Sequence, residues 1–213
     1  MVASRRMTRR FSDRAIAGPT LRAVIEAGLH APSAGFAQGV DFLVLEEVSA
    51  RQRFWELASD RAWRERVGGS ATALLPAPAI ILPLADPQAY VNRYASPDKG
   101  ASSLSGTPPE SWPVPYWIVD ASFAAMLVLL AATNTGLGAL FFRLHRDAPA
   151  LLAGFGVPSG CVTIGAIALG WPVDDASGEA GDGTSGSSSR PSKRPRRPFE
   201  EAVHLDGWRP TAR

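Results

Sequence analysis

The sequence predicts a single domain of buried strands separated by helices, α/β or α+β in class. Three observations predict it. Short apolar runs recur at 42–45, 78–84 and 162–169. Between them lie stretches with apolar residues at helical spacing. No segment repeats, and 213 residues suit one core before a chain divides.

The elements follow in chain order. Arg5 to Phe11 is a basic arm. Gly18-Pro19-Thr20 opens a helix that places Leu21, Val24, Ile25 and Leu29 on one face. Pro32 ends it, because proline disfavours helix in the residue before it. Phe42 to Leu45 is a short strand, and Ala50 to Leu57 a helix packed through Phe54 and Trp55. Pro78 to Leu84 is a second buried strand. From Asp86 to Pro115 the chain is polar, Gly/Pro/Ser-rich and dotted with aromatics, and long unpatterned stretches of this kind are usually functional or mobile. Val119 to Thr135 is a helix buried on nearly all sides, with Asp120 as N-cap and Gly136 as its stop. Asp147 to Leu152 is a short helix and Val162 to Leu169 a third strand. Asp174 to Ser192 holds almost nothing apolar and cannot offset its ordering entropy, so it reads as a flexible insert at 174–192. The tail beyond it carries Phe199, Val203, Leu205 and Trp208.

Composition narrows the function classes. Apolar residues make up 46% and charged residues 20%, close to a globular average, and the net charge is only +2. The pI near 9.0 is too mild to imply nucleic-acid binding. Positive charge gathers at the two ends, in Arg5-Arg6-Met7-Thr8-Arg9-Arg10 and in Arg190 to Arg197. The lone Cys161 excludes an internal disulfide framework and favours a reducing, cytoplasmic setting. It reads as a small core hydrophobe. The uncharged stretch 121–142 is the one membrane suspect. A helix ending at Gly136 would span about 22 Å, short of the roughly 30 Å hydrocarbon core, so it reads as buried in protein.

Catalytic signatures of other kinds are missing. His30, His145 and His204 have no ligand spacing to one another or to Cys161, so no metal site is expected; His30 suits a helix C-cap. Gly154-x-Gly156-x-x-x-Gly160 precedes a strand and reads as a turn, not a dinucleotide fingerprint. There is no Gly-x-Ser-x-Gly elbow and no Walker lysine. An enzyme with this sequence needs a cofactor for its hard step.

Three separated pieces carry a specific pattern: Arg5-Arg6-x-Thr8-Arg9-x-Phe11; Ala31-Pro32-Ser33-Ala34-Gly35-x-x-Gln38; and Arg194-x-Arg196-Arg197-Pro198 with Glu200-Glu201-x-Val203. Gly136-Leu137-Gly138-Ala139 and Ile164-Gly165-Ala166-Ile167-Ala168-Leu169-Gly170-Trp171-Pro172 add to it. In this order the set resembles the FMN-dependent nitroreductase family, from Arg5 to Trp208 apart from the insert.

The resemblance implies an α+β fold, three layers with a central mixed sheet flanked by helices, in an intertwined homodimer. Residues 1–213 then form one domain whose arm at 198–213 packs on the partner. It also implies FMN, with NAD(P)H as transient electron donor. Arg5 and Arg6 would meet Arg194, Arg196 and Arg197 around the FMN phosphate, for which the arginine fork is suited. Arg9 would lie near N1 and O2, tuning the flavin. Pro32, Ser33, Ala34, Gly35 and Gln38 would line the ring edge, and Phe142 and Arg143 would bring backbone N–H groups near N5 and O4. Phe36 departs from the family's asparagine and, with Trp112, Tyr116, Trp117 and Phe141, would wall an apolar substrate pocket. Met7 departs from a serine, which leaves only its backbone for contact.

The implied reaction is ping-pong hydride transfer from NAD(P)H through flavin N5 to a small acceptor: a nitroaromatic, quinone or enone. Two rival readings remain. A relative of the same fold could act as a flavin-linked dehydrogenase or dehalogenase without NAD(P)H. In a different class, Lys193 to Arg197 could be a basic nucleic-acid patch, although no stacking platform or groove-reading helix accompanies it. Neither nucleic acid nor membrane is an expected partner.

Overall fold

Alternation along each strand builds two cores, one on each side of a sheet. A strand sends successive side chains to opposite faces. In β2 (Ala79–Ala85), Ile80, Leu82 and Leu84 point to one cluster, and Ala79 and Ile81 to the other. In β5 (Ala166–Gly170), Ala166 and Ala168 join the first cluster, Ile167 and Leu169 the second. The computed structural model describes residues 2–67, 74–144, 146–173 and 196–208.

The first face is covered by α2 (Val48–Ala58) and a helix at Ala148–Gly154, through Phe54, Trp55, Leu151 and Leu152. The second is covered by α1 (Gly18–Leu29) and the long helix at Tyr116–Asn134, through Leu21, Val24, Val128 and Leu129. This is the expected three-layer α+β arrangement. A short α3 (Arg61–Val67) and α4 (Pro87–Tyr94) precede the long helix, which becomes α5, and the 148–154 helix is α6. The last helix, α7, spans Phe199–Ala202.

Strand order is β1-β2-β5-β3, with β1 at Val40–Leu45, β3 at Gly138–Phe142, and a two-stranded extension where β4 (Val162–Thr163) pairs with β2. These ladders are antiparallel. The parallel element of the sheet comes from the N-terminal arm, whose Met7 bridges Ala139.

The structure corrects several local expectations. The run 162–169 is two strands. Leu84 faces Thr163 while Ile81 faces Ile167, so this strand carries one extra residue between those pairs. Gly165 takes φ 144 there, a bulge that only glycine accommodates readily. Pro83, fully buried, sits opposite the gap, where a missing N–H costs no ladder bond. The 86–115 segment is not structureless: Asp86 caps α4, accepting from the Gln88 N–H at 2.9 Å, and Pro87 occupies its first turn. Leu29 is 60% exposed, and Gly28 is instead the contact point of α1, with the Phe42 ring and Val128 where a Cβ would stand.

Helix α5 begins at Tyr116, so Asp120 is an interior residue and not its N-cap. The stop is as expected: Gly136 takes φ 77 and the Leu137 N–H bonds the Ala132 carbonyl at 2.9 Å. At 19 residues α5 is long and apolar enough to cross a membrane by length and composition. Here it packs on α1 and the sheet. It is not buried all round, however: Phe123 and Met126 are 48% and 46% exposed. The 174–192 insert lies outside the described residues.

Candidate active site

Two pieces of irregular backbone carry half of the expected site residues. The first is the N-terminal arm. Phe11 anchors it, buried against the first core cluster and bridged to Pro172. The Thr8 N–H donates to the Ala139 carbonyl and the Ser12 N–H to the Trp171 carbonyl, both at 3.0 Å. Thr8 approaches so closely that a Cβ on Gly138 would collide with its side chain. The motif glycine therefore admits the arm.

This docking sets the arginines. Arg6 is exposed and turns back to the Ala3 carbonyl at 3.0 Å. Arg9 is half-buried. Arg5 is half-buried as well, and its Nη1 is buried with no hydrogen-bond partner among the described residues. A buried guanidinium N–H without an acceptor is rare and costly. A guanidinium supplies a fork of donors suited to the oxygens of an anion. The donor set thus fits the phosphate of FMN.

The second piece is the loop after α1. Gly35, Phe36 and Gln38 all have left-handed backbone, with φ 61, 58 and 52. The two non-glycine residues store about 1 kcal/mol or more each. A Cβ on Gly35 would lie 2.9 Å from the Tyr94 ring. Ser33 Oγ accepts from the Gln38 N–H at 3.1 Å, which leaves its proton free to donate elsewhere. The Ala34 N–H donates to Asp120 Oδ2 at 2.8 Å, and Arg93 Nε donates to the Gly35 carbonyl at 2.7 Å. Phe36 projects its ring outward, 73% exposed, and Pro32 is exposed beside it.

Asp120, Tyr90 and Arg93 were not expected at this site. Asp120 is 4% exposed and also accepts from the Tyr90 hydroxyl at 2.7 Å. Tyr90 is fully buried, and its phenol is held well above the usual tyrosine range, first by burial and then by its bond to the Asp120 carboxylate. Arg93 is held in turn by a two-pronged pair with Asp98, at 2.8 and 2.7 Å. That carboxyl sits below the ordinary range, chiefly because of the Arg93 bond.

The remaining expected residues divide. Trp112 is buried: it packs edge-on against Tyr94 and lies beside Tyr116 and Trp117, and its indole donates to the Thr107 carbonyl at 3.2 Å. It anchors the loop rather than lining an open wall, while Tyr116 and Trp117 are half-buried around it. The Phe142 ring stacks on Trp55 at 5.7 Å within the first core cluster, so only its backbone can reach a ligand. Phe141 packs on the second cluster beside Gly165, and Arg143 is exposed. Arg196 and Arg197 are exposed, with Arg197 donating to the Glu201 carbonyl. Arg194 lies outside the described residues, as does His145. Among the described residues no group of acidic, histidine or cysteine side chains could hold a metal.

Comparison with known proteins identifies the fold and the family. A candidate NADH dehydrogenase/NAD(P)H nitroreductase of Archaeoglobus fulgidus is 27% identical over 181 residues, covering 82% of this chain and 85% of its own. A Desulfovibrio desulfuricans nitroreductase solved in complex with FMN is 25% identical, with TM-score 0.64 over 98% of this chain and 95% of that one. The NADPH:FMN oxidoreductase of Vibrio harveyi, solved with NAD+, shares the fold at 21% identity and TM-score 0.69, covering 99% of this chain and 77% of that one. The Nitroreductase family profile matches residues 2–171, and the chain belongs to that family.

Proposed function

We propose that this protein is an FMN-dependent NAD(P)H oxidoreductase acting on small acceptors such as nitroaromatics, quinones or enones. The observation that carries the reading is Arg5, whose buried Nη1 has no partner among the described residues. When bound, FMN supplies hydride transfer at N5, from NAD(P)H and then to the acceptor in ping-pong order.

The chain's own residues have distinct tasks in this reading. Arg5 binds the phosphate, helped by Arg6 and by Arg194, Arg196 and Arg197 from the tail. Arg9 places positive charge near N1 and O2, which favours a reduced ring. The loop from Pro32 to Gln38 supports the ring edge, and the backbone at 142–143 orients N5 and O4. Phe36 and Phe141, with Tyr116 and Trp117, exclude water from an apolar acceptor pocket. No side chain of this set is placed as an obligate acid, so solvent supplies the proton.

The working form is a homodimer in the cytoplasm. Phe123 and Met126 on α5, and Phe199, Leu205 and Trp208 on the tail, are exposed apolar groups that a second copy would cover. The test is anaerobic. Protein loaded with FMN is mixed with NADH or NADPH, and the loss of the oxidised flavin absorbance is followed; a nitroaromatic or quinone added afterwards should restore it. A bound flavin that neither nicotinamide reduces contradicts the reading and favours a flavin-linked dehydrogenase.

A further inference from the structure

The loop 33–38 is gripped by charge on both of its backbone polarities. The Ala34 N–H meets the Asp120 carboxylate, and the adjacent Gly35 carbonyl meets the Arg93 guanidinium, at 2.8 and 2.7 Å. Each gripping group has a second anchor: Tyr90 for Asp120 and Asp98 for Arg93. Both anchors come from the segment 87–99, that is, α4 and the turn after it.

Stability alone explains this poorly. A buried carboxylate within an otherwise uncharged helix loses its hydration, and buried charged groups are weak contributors to stability compared with apolar residues of similar size. Apolar residues at positions 90 and 120 would close the same space. What they could not do is fix one amide of a neighbouring loop in one register. The loop needs such fixing, because Gly35, Phe36 and Gln38 hold backbone conformations that a free chain would leave.

We propose that Asp120 and Arg93 are positioning residues that hold the 33–38 loop in its flavin-contacting shape. Neither touches the cofactor: Asp120 acts through Ala34, and Arg93 through Gly35. The inference rests on the proposed FMN function and adds to it residues distant in sequence from the family pattern. Preorganising a loop raises ligand affinity by removing the ordering cost from the binding step.

The test measures FMN binding by the full-length protein and its variants Asp120→Ala, Asp120→Asn and Asp98→Ala. The readouts are the FMN dissociation constant, the visible circular dichroism of the bound flavin and the melting temperature without FMN. Asp98 is 62% exposed on its side chain, so its removal leaves the core untouched. Asp120→Ala should weaken FMN binding about tenfold or more, on the scale of a lost charged hydrogen bond, and alter the flavin dichroism. Asp120→Asn keeps an acceptor oxygen and should recover binding to within about threefold of wild type. Asp98→Ala should weaken binding about threefold or more while the melting temperature stays near wild type. If Asp120→Ala fails to fold, Asp98→Ala decides. Wild-type affinity and dichroism in Asp98→Ala and in any folded Asp120→Ala would overturn the inference alone. Wild-type protein that takes up no FMN would overturn the function and this inference together.

Discussion

Tyr90 and Asp120 meet in the interior although 30 residues separate them. The phenol is raised above its ordinary value by burial and by the carboxylate, so the folded state keeps its proton where the unfolded chain gives it up. A raised folded value contributes stability that is complete below the unfolded value of about 10 and declines as pH climbs above it. Urea unfolding between about pH 8 and 11 should therefore lose stability above pH 10, and Tyr90→Phe should flatten that decline. At neutral pH the same substitution should cost about 1–2 kcal/mol, because Asp120 loses a buried donor. Cys161 is a second residue-scale case. It lines a groove with Asp41 and Asp86, half-buried rather than in the core, and burial followed by those two carboxylates pushes its thiol up. Alkylation by iodoacetamide near neutral pH should be slower than for a free thiol. Modification as fast as that of a small thiol would contradict the assignment.

At the scale of elements, the N-terminal arm is a strand-like strip whose docking depends on Gly138. Gly138→Ala drives a methyl group into Thr8 and should lift the arm from β3. The account expects circular dichroism near wild type and FMN affinity reduced about tenfold or more as Arg5 loses its place. Unchanged affinity would mean that the arm is not part of the site. Strands β1 and β2 and helices α1, α2 and α6 were legible because each carries its own period or cap. Helix α4 carried a signal as well, Asp86 followed by Pro87, but Pro, Gly and Ser downstream obscured it. The break between β4 and β5 hides in Gly165, whose neighbours on both sides read as strand. Asp120 misleads for a different reason. It stands near the start of an apolar run, where a cap is expected, yet its two partners, Tyr90 and Ala34, are 30 and 86 residues away. No local pattern reports such a bond.

For the whole molecule, the apolar surface of a lone chain is the informative feature. The lack of charge across 121–142 suggests burial on all sides, whereas the fold buries one side of α5 and leaves Phe123 and Met126 open. In the proposed dimer a second copy covers them, so folding, assembly and cofactor uptake are linked. Light scattering of the FMN-loaded protein should give twice the chain mass of 22.6 kDa. Phe123→Glu combined with Met126→Lys should shift the protein towards single chains and release FMN with them. A single-chain mass in the wild-type, FMN-loaded protein would refute the dimer. The arginines at the two ends of the chain, the feature most evident in the sequence, remain divided: Arg5 is placed, with its Nη1 unpartnered among the described residues, while Arg194 lies outside them.

The phosphate assignment is the part on which the rest depends, and a comparison of two ligands isolates it. FMN and riboflavin share the ring and differ by the phosphate, so their affinity ratio reads the phosphate contribution directly. Titrations of wild type and Arg5→Met with each ligand give that ratio. The account predicts that wild type prefers FMN by about a hundredfold or more, and that Arg5→Met loses about tenfold of that preference while its riboflavin affinity holds. Equal affinity of the wild-type protein for the two ligands, or a preference that Arg5→Met leaves intact, would contradict it.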